Sequence, residues 1–361
     1  MARPTTATID LTAFRHNYQL AKTLANGQHA VAIIKADAYG HGAVKMAHAL
    51  KEEADAFGVA CIEEALELRQ SGITQPILLL EGFFSPDELP LIAANNFWCA
   101  VHSVEQIEYI AHADLESPIT IWLKMDCGMH RLGIPPKQYQ LAYQKLKALS
   151  QVEKIVCMSH FSSADTAFAP DNITHQQIQR CQSIFDQLDA DISLANSAAT
   201  LGYPEARQQY LRPGIMLYGA SPYSEPHPLA DQLQPVMTLH SEIIAIRDVP
   251  INEAIGYGQR FVCSAPTKVG TVAIGYADGY PRHAKDGTPI IVNGQRTRII
   301  GRVSMDMLTV DLTHVTDVKI GSTVELWGKH LLATEVAEHC DTIAYTLFTG
   351  ITRRVHKRYI T

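Results

Sequence analysis

Several short apolar runs in the chain end on a polar or ionisable residue: Lys35, Glu81, His102, Lys124 with Asp126 close behind, His160, Asn196-Ser197 and Arg212. Apolar, β-branched runs of this kind read as buried parallel strands, and the residues at their C-terminal ends are the ones a parallel barrel offers for chemistry. Lys35 closes the run AVAIIK and therefore sits near the barrel axis, where partial desolvation lowers the pKa of an amine and makes it a nucleophile for carbonyls. The alternative reading of a strand-end lysine is a plain surface cation. The last two runs lead into NSAAT (196–200) and RPGIMLYG (212–219), where the Ser197 hydroxyl and the Gly214 and Ile215 amides have the chemistry of a phosphate cradle. Asn-Ser before Ala-Ala-Thr is also good helix-capping chemistry, so Ser197 reads equally as a cap. A lysine nucleophile opposite a phosphate cradle points to a phosphorylated substrate or to pyridoxal phosphate.

The elements that must position these groups are legible in the periodicity. Strands are predicted at 30–35, 56–60, 77–80, 97–101, 119–124, 154–159, 191–195 and 209–212, with helices at 43–53, 62–71, 103–112, 137–150 and 173–188. Ser103, followed by Glu105 and Gln106, is the expected N-cap of its helix. The strands recur about every 25 residues, the size of a compact βα unit, and eight such units close a (β/α)8 TIM-type barrel. An open doubly wound sheet would place a G-x-G-x-x-G after the first strand, and none is there. Beyond the proline-rich stretch 221–235 helix periodicity fades, and 236–246, 268–276, 289–293, 296–303, 306–312 and 323–327 read as strands. The expected division is a barrel over 11–233 and a mostly β domain over 234–361 with residues 1–10. Taken alone, the N-terminal TTATIDL is either a strand lent to that second domain or a plug of the barrel.

Composition narrows the function classes. The 361 residues are 47% hydrophobic and 19% charged, and 30 Lys+Arg against 37 Asp+Glu give a net charge of −7. This is globular composition without the basic footprint of a nucleic-acid binder. The basic run Arg353, Arg354, Lys357, Arg358 reads as a solvated tail. No run is long enough for a membrane helix, and MARPTTATIDL has no signal-peptide core. Seven scattered cysteines without a CxxC argue against a disulfide framework or zinc ribbon, and for a cytoplasmic setting.

Taken together the motifs resemble the bacterial alanine racemases. They are IIKADAYGHG (33–42), WLKMDCGMHRLG (122–133), SHFSSAD (159–165), LANSAAT (194–200) and RPGIMLYGAS (212–221). In the second domain they are IGYGQRF (255–261), IGYADGYPR (274–282), GRVSMDM (301–307) and AYTLFTGITRRV (344–355). They run in the family's order nearly end to end. The resemblance implies a pyridoxal 5'-phosphate enzyme of barrel plus β domain, with the N-terminal strand joining the β domain. It implies interconversion of L- and D-alanine by two bases through an aldimine, for peptidoglycan supply or catabolism, in a homodimer with shared active sites.

Carried over by position, Lys35 resembles the lysine that forms the internal aldimine and serves as one base. Tyr257 matches the second base, supplied by the partner subunit. Free tyrosine titrates near 10, so such a base needs help from its neighbours; the resemblance places His160 beside Tyr257 and Arg212. Tyr39, Ser197, Gly214, Ile215 and Tyr345 match the phosphate site. Arg212 resembles the arginine facing the pyridine nitrogen; it keeps its own proton and so leaves that nitrogen unprotonated, which weakens the electron sink and limits transamination. Arg131 matches the residue that bonds the cofactor's phenolic oxygen and the substrate carboxylate, aided by the backbone at Met305. Lys124 matches a lysine often carbamylated, and Tyr276 and Arg282 match the entrance corridor. Two departures stand out: Asp37 where many relatives carry asparagine, and Ser304 where others have cysteine. The competing readings are a broader amino-acid or serine racemase on the same scaffold, a non-catalytic pyridoxal-phosphate carrier, and a plain Schiff-base aldolase barrel. The first is weakened by the missing signal peptide, the second by the extra domain bearing Tyr257 and Tyr345, the third by Arg212.

Overall fold

The computed structural model describes residues 3–166, 169 and 172–361. The chain opens with β1 (Thr6–Asp10) and α1 (Leu11–Ala25), joined at Asp10, whose carboxylate caps the helix by accepting from the Ala13 amide at 3.0 Å. Then follow β2 (His29–Ile33), α2 (Lys35–Gly40), α3 (Ala43–Ala49), β3 (Ala56–Val59), α4 (Ile62–Gln70), β4 (Ile77–Leu79), α5 (Leu89–Ala94), β5 (Phe97–Val101) and α6 (Val104–His112). The barrel continues through β6 (Ile119–Lys124), α7 (Pro136–Lys147), β7 (Val152–Met158), α8 (Ile173–Phe185), β8 (Asp191–Ser193), α9 (Ser197–Gly202) and β9 (Tyr210–Leu211).

Strands β2 to β9 form one parallel sheet in the order β8-β7-β6-β5-β4-β3-β2-β9, a nearly closed TIM-type barrel. Its strands are buried almost throughout, which is why they read as unbroken apolar runs. Ser103 caps α6 through the Gln106 amide, as its sequence suggests. Across the seam between β8 and β9, the Arg212 amide donates to the Ala195 carbonyl at 2.9 Å and the Ser193 hydroxyl to Tyr210 at 2.8 Å.

The second domain holds β10 (Met237–Val249), β11 (Ala254–Ile255), β12 (Phe261–Val262), β13 (Thr267–Val272), β14 (Pro289–Val292), β15 (Gln295–Arg298), β16 (Leu308–Asp311) and β17 (Thr323–Trp327), then α10 (Ala333–His339), α11 (Ala344–Thr349) and β18 (His356–Ile360). The main sheet runs β15-β14-β17-β10-β1-β18, with β13 on β10 and β16 on β13, while β11 and β12 make a separate hairpin. The N-terminal segment is thus a strand of this sheet and no barrel plug: β1 lies between β10, antiparallel, and β18, parallel. Two expectations are corrected here. The C-terminal basic run is no solvated tail, since β18 pairs along its whole length with β1, Lys357 binds Asp37, and Arg354 binds Asp306. Helices α10 and α11 also interrupt the β pattern. The seven cysteines are all free, and among the described residues no helix is long and apolar enough to cross a membrane.

One segment departs from ordinary backbone. Within α2, Ala36, Asp37, Ala38 and Tyr39 all have φ between 51° and 53°, so the chain makes a left-handed turn directly after Lys35. Each non-glycine residue in that conformation costs about 1–2 kcal/mol, and four in succession persist only where the surroundings dictate them. Gly40 (φ 77°) continues the turn, and a Cβ there would lie 2.2 Å from the Phe348 carbonyl oxygen of α11. Gly40→Ala is therefore expected to destabilise by more than about 3 kcal/mol, from strain plus clash. Gly27→Ala, at φ 87° with open space around it, bears only the strain, about 1–2 kcal/mol. Urea unfolding of both variants checks this; equal losses would refute the tight approach of α11.

Candidate active site

The left-handed turn puts Lys35 and Tyr39 at the strand-end face of the barrel. Several bonds hold it: the Ala36 amide donates to Glu64 at 2.7 Å, Ala38 to the Ile34 carbonyl at 2.9 Å, and Gly42 and Ala43 to the carbonyl and carboxylate of Asp37, both at 2.8 Å. Tyr39 is buried among aromatic rings, 4.7 Å from Tyr218 and 5.8 Å from Tyr345 between centroids. Burial pushes both the Tyr39 and Tyr345 phenols up, the latter to about 12. The Tyr39 hydroxyl makes no hydrogen bond among the described residues, and a Cβ on Gly214 would lie 2.8 Å from it. Glycine at 214 is what lets that phenol approach the β9 loop.

Ser197 is not the helix cap that its sequence context allows. Asn196 caps α9 through the Ala199 amide at 3.0 Å, and the buried Ser197 hydroxyl instead accepts from the Gly214 and Met216 amides at 2.8 and 3.3 Å. With both lone pairs engaged, that hydroxyl is left only its proton to donate. The Ile215 amide between the two has no acceptor among the described residues. Tyr39, Ser197 and Ile215 thus present donors around Gly214, as an anion requires.

Arg212 is 4% exposed and has no carboxylate partner among the described residues. Its Nη1 donates to the Ser193 carbonyl and hydroxyl at 2.9 and 2.6 Å, and its Nη2 to the Ser159 and Leu194 carbonyls at 2.6 and 3.3 Å. Nε alone has no acceptor among the described residues. Burial lowers the guanidinium to about 10, so it stays charged at working pH. Lys124 is buried at the end of β6, without a hydrogen-bond partner among the described residues, and desolvation with Arg212, Arg131 and Lys35 nearby lowers it to about 8, opposed by Glu81. His160 is pushed well below its ordinary value by desolvation and by the same cations, Arg212 foremost, so its ring is neutral. His102 is lowered too, by desolvation and Lys124. Asp126 is turned away from the cluster: it accepts from Gly128 and His130, and its carboxyl, lowered by those bonds against desolvation, braces the loop bearing exposed Arg131. The structure therefore brings Lys35, Lys124, Arg131, His160 and Arg212 into one electrostatic neighbourhood, with Glu81 the opposing carboxylate.

The second-domain residues form a different surface. Tyr257 stands 70% exposed at the tip of the β11–β12 hairpin, and Met305 is 53% exposed. The Tyr276 and Ala277 amides donate to the Ser304 and Met305 carbonyls, both at 3.0 Å, and the Arg282 guanidinium lies 6.0 Å over the Tyr276 ring. Among the described residues no hydrogen bond, ion pair or ring contact joins Tyr257, Tyr276, Arg282 or Met305 to the Lys35 cluster, whereas Tyr345, at the start of α11, joins the Tyr39 cradle. Sequence reasoning missed the residues that brace these loops. Buried Asp278 is gripped by Arg3 and approached by Arg354 at 3.4 Å, and Arg3 also donates to the Asp306 carbonyl at 2.9 Å. Partners separated by some 275 positions leave no local signal.

Fold and site define a class: a two-domain parallel-barrel enzyme with a lysine and a buried arginine at the strand ends, and a donor cradle beside them. A family model described as "Alanine racemase, N-terminal domain" matches residues 9–222, and one described as "Alanine racemase, C-terminal domain" matches 236–359. The chain is 56% identical over 351 residues to the alanine racemase of Pseudomonas fluorescens, covering 97% of this chain and 98% of that protein. The biosynthetic alanine racemase from Pseudomonas aeruginosa superposes with a TM-score of 0.96 at 43% identity, over 99% of this chain and 100% of that one. The alanine racemase from Bartonella henselae with covalently bound pyridoxal phosphate superposes with a TM-score of 0.90 at 28% identity, covering 99% of each. The chain belongs to the alanine racemase family and is an isomerase.

The depressed histidines make a pH prediction. His160, and buried His41 at about 4, bind protons in the unfolded chain near 6.5 but not in the folded one. The unfolded state then holds more protons, so stability falls as pH drops below 6.5, by up to about 1.4 kcal/mol per pH unit for each histidine. Urea melts at pH 7, 6 and 5 test this; a flat profile would contradict the neutral rings.

Proposed function

We propose that the enzyme interconverts L- and D-alanine with pyridoxal 5'-phosphate held by the barrel site, as a homodimer of the cytoplasm. In the proposed division, residues 11–233 form the cofactor-binding barrel, and 1–10 with 234–361 the domain that serves a second copy. The observation that carries the reading is Arg212, a buried, charged guanidinium whose one unused donor, Nε, has no acceptor among the described residues. A pyridine nitrogen is an acceptor that suits it, and the Tyr39–Ser197–Ile215 donors around Gly214 suit a phosphate, so the residues present fit this cofactor. The surplus of cations over Glu81 likewise suits a group bearing several negative charges.

Each residue has a role in this reading. Ser197 Oγ, Tyr39 Oη, Tyr345 Oη and the Ile215 amide hold the phosphate, and Gly214, its own amide bound to Ser197, leaves open the space a Cβ would take beside Tyr39 Oη. Arg212 donates to the pyridine nitrogen and, remaining charged to about pH 10, keeps that nitrogen from taking a proton. Arg131 and the Met305 amide hold the substrate carboxylate, and Tyr276 and Arg282 line the way in. Bound there, pyridoxal phosphate withdraws electrons from an attached amino acid and acidifies its Cα–H. Lys35 Nζ takes or returns the proton on one face of Cα, and Tyr257 Oη of a second copy does so on the other, with neutral His160 beside Arg212 relaying charge. Lys124, neutral above about pH 8 and surrounded by Arg131 and Arg212, is suited to react with CO2 and persist as a carbamate anion.

Lys35→Ala is expected to abolish formation of D-alanine from L-alanine, resolved chirally with added pyridoxal phosphate. Shared sites give a sharper test: mixing inactive Lys35→Ala and Tyr257→Phe subunits leaves one intact site per mixed dimer, about a quarter of wild-type activity at random assortment. No recovery would mean that both bases come from one chain. Exposure to isotope-labelled CO2 should yield a carbamate signal by carbon NMR that grows as pH rises through 8 at constant dissolved CO2, and is missing in Lys124→Met. An equal signal in that variant would place the modification elsewhere.

A further inference from the structure

His41, at the end of the lysine-bearing turn, is fully buried and has no part in the chemistry just described. Its Nδ1 lies 2.9 Å from the Tyr39 carbonyl oxygen and 3.1 Å from that of Ala38. Both partners are acceptors, so Nδ1 carries the hydrogen and donates it, shared, to the two carbonyls. The Ala38 carbonyl has a second donor in the His41 amide at 3.0 Å, but the Tyr39 carbonyl has no other among the described residues. In a right-handed helix, amides three and four positions on would serve it. Here the left-handed path sends the Gly42 and Ala43 amides to Asp37 instead, and the imidazole takes their place. The Nε2 atom is buried without a partner among the described residues, consistent with a neutral ring protonated at Nδ1, and burial lowers the ring to about 4.

The ring also links everything that touches the turn. It lies 4.6 Å from the Tyr218 ring, which packs at 4.7 Å on Tyr39 and donates its hydroxyl to the Ile33 carbonyl at 2.9 Å, and it meets Phe348 of α11 edge-on at 5.1 Å. Its backbone carbonyl accepts from Tyr359 of β18 at 3.0 Å. We propose that His41 is a positioning residue for the cofactor site: its Nδ1–H holds the Tyr39 and Ala38 peptides in the left-handed turn and so aims the Tyr39 hydroxyl at the Ser197–Gly214 cradle. The inference rests on the reading of that cradle as a phosphate site.

The test compares affinities of the apoprotein for pyridoxal phosphate and for pyridoxal, which lacks the phosphate, by absorbance titration. Asparagine carries its amide nitrogen where Nδ1 sits, whereas glutamine reaches past it and leucine has no donor. His41→Leu is expected to weaken pyridoxal phosphate binding about tenfold or more while changing pyridoxal binding less than about threefold, since a buried acceptor is left unpaired. His41→Asn should keep the phosphate preference within about threefold of wild type, and His41→Gln should not. If the leucine variant does not fold, the asparagine and glutamine variants decide. A phosphate preference unchanged in leucine or glutamine, or lost equally in asparagine and glutamine, would overturn the proposal, even if melting temperatures fall. Wild type that binds both compounds alike would instead remove the phosphate reading itself, a result separable from the variant series.

Discussion

The architecture turns on a stretch of backbone in an unfavourable conformation. Four left-handed residues follow Lys35, at an intrinsic cost of about 4–8 kcal/mol. A right-handed helix at the same place would swing Tyr39 away from Gly214 and turn the amides of Ala36 and Ala38 elsewhere. The conformation is set from three sides: by Glu64 of the neighbouring βα unit, by Asp37 and His41 within the turn, and by α11 and β18 of the second domain. The second domain is thereby part of its own chain's barrel site, quite apart from the surface it turns outward.

Charge follows from the same geometry. Strands converging on one barrel mouth bring Lys35, Lys124 and Arg212 together, and low solvation there magnifies their mutual repulsion, as the depressed Lys124 and His160 register. Such a cluster costs stability in isolation and is relieved by anions. Arg212 endures it through four hydrogen bonds to Ser159, Ser193 and Leu194, which lie at the C-terminal ends of β7 and β8. The guanidinium proposed to face the pyridine nitrogen is also a clasp of the barrel seam.

Much of this was legible in the sequence, for definite reasons. Parallel strands buried on both faces leave continuous apolar runs, so all eight barrel strands were found to within a few residues, and their ends named Lys35, Lys124, His160, Ser197 and Arg212 as neighbours. The family motifs added the second-domain residues, whose exposure on one chain says nothing by itself. What escaped was non-local or stereochemical. No periodicity marks a left-handed turn built from Ala-Asp-Ala-Tyr, residues with no special preference for it apart from the aspartate. The pairing of Arg3 with Asp278, or Lys357 with Asp37, depends on the folded sheet. The basic C-terminal run reads as a tail because charge patterning reports composition, and β18 is half-exposed, while Lys357 within it and Arg354 before it are directed to partners far off in sequence.

The pairing of β1 with β18 has a temporal consequence. Thr6 lies opposite His356, so the edge strand β18 and its neighbour β1 join segments 350 positions apart in sequence. The barrel strands β2 to β8 each pair with a near neighbour in sequence, and only the closing pair of β9 with β2 spans the barrel's length. The sheet, by contrast, has one side of β1 bare until the last dozen residues are free. Those residues also carry Lys357 and Tyr359, which seat the turn after Lys35. The setting of the turn after Lys35 therefore depends on residues some 320 positions downstream of it, and barrel and sheet are coupled in assembly as well as in structure.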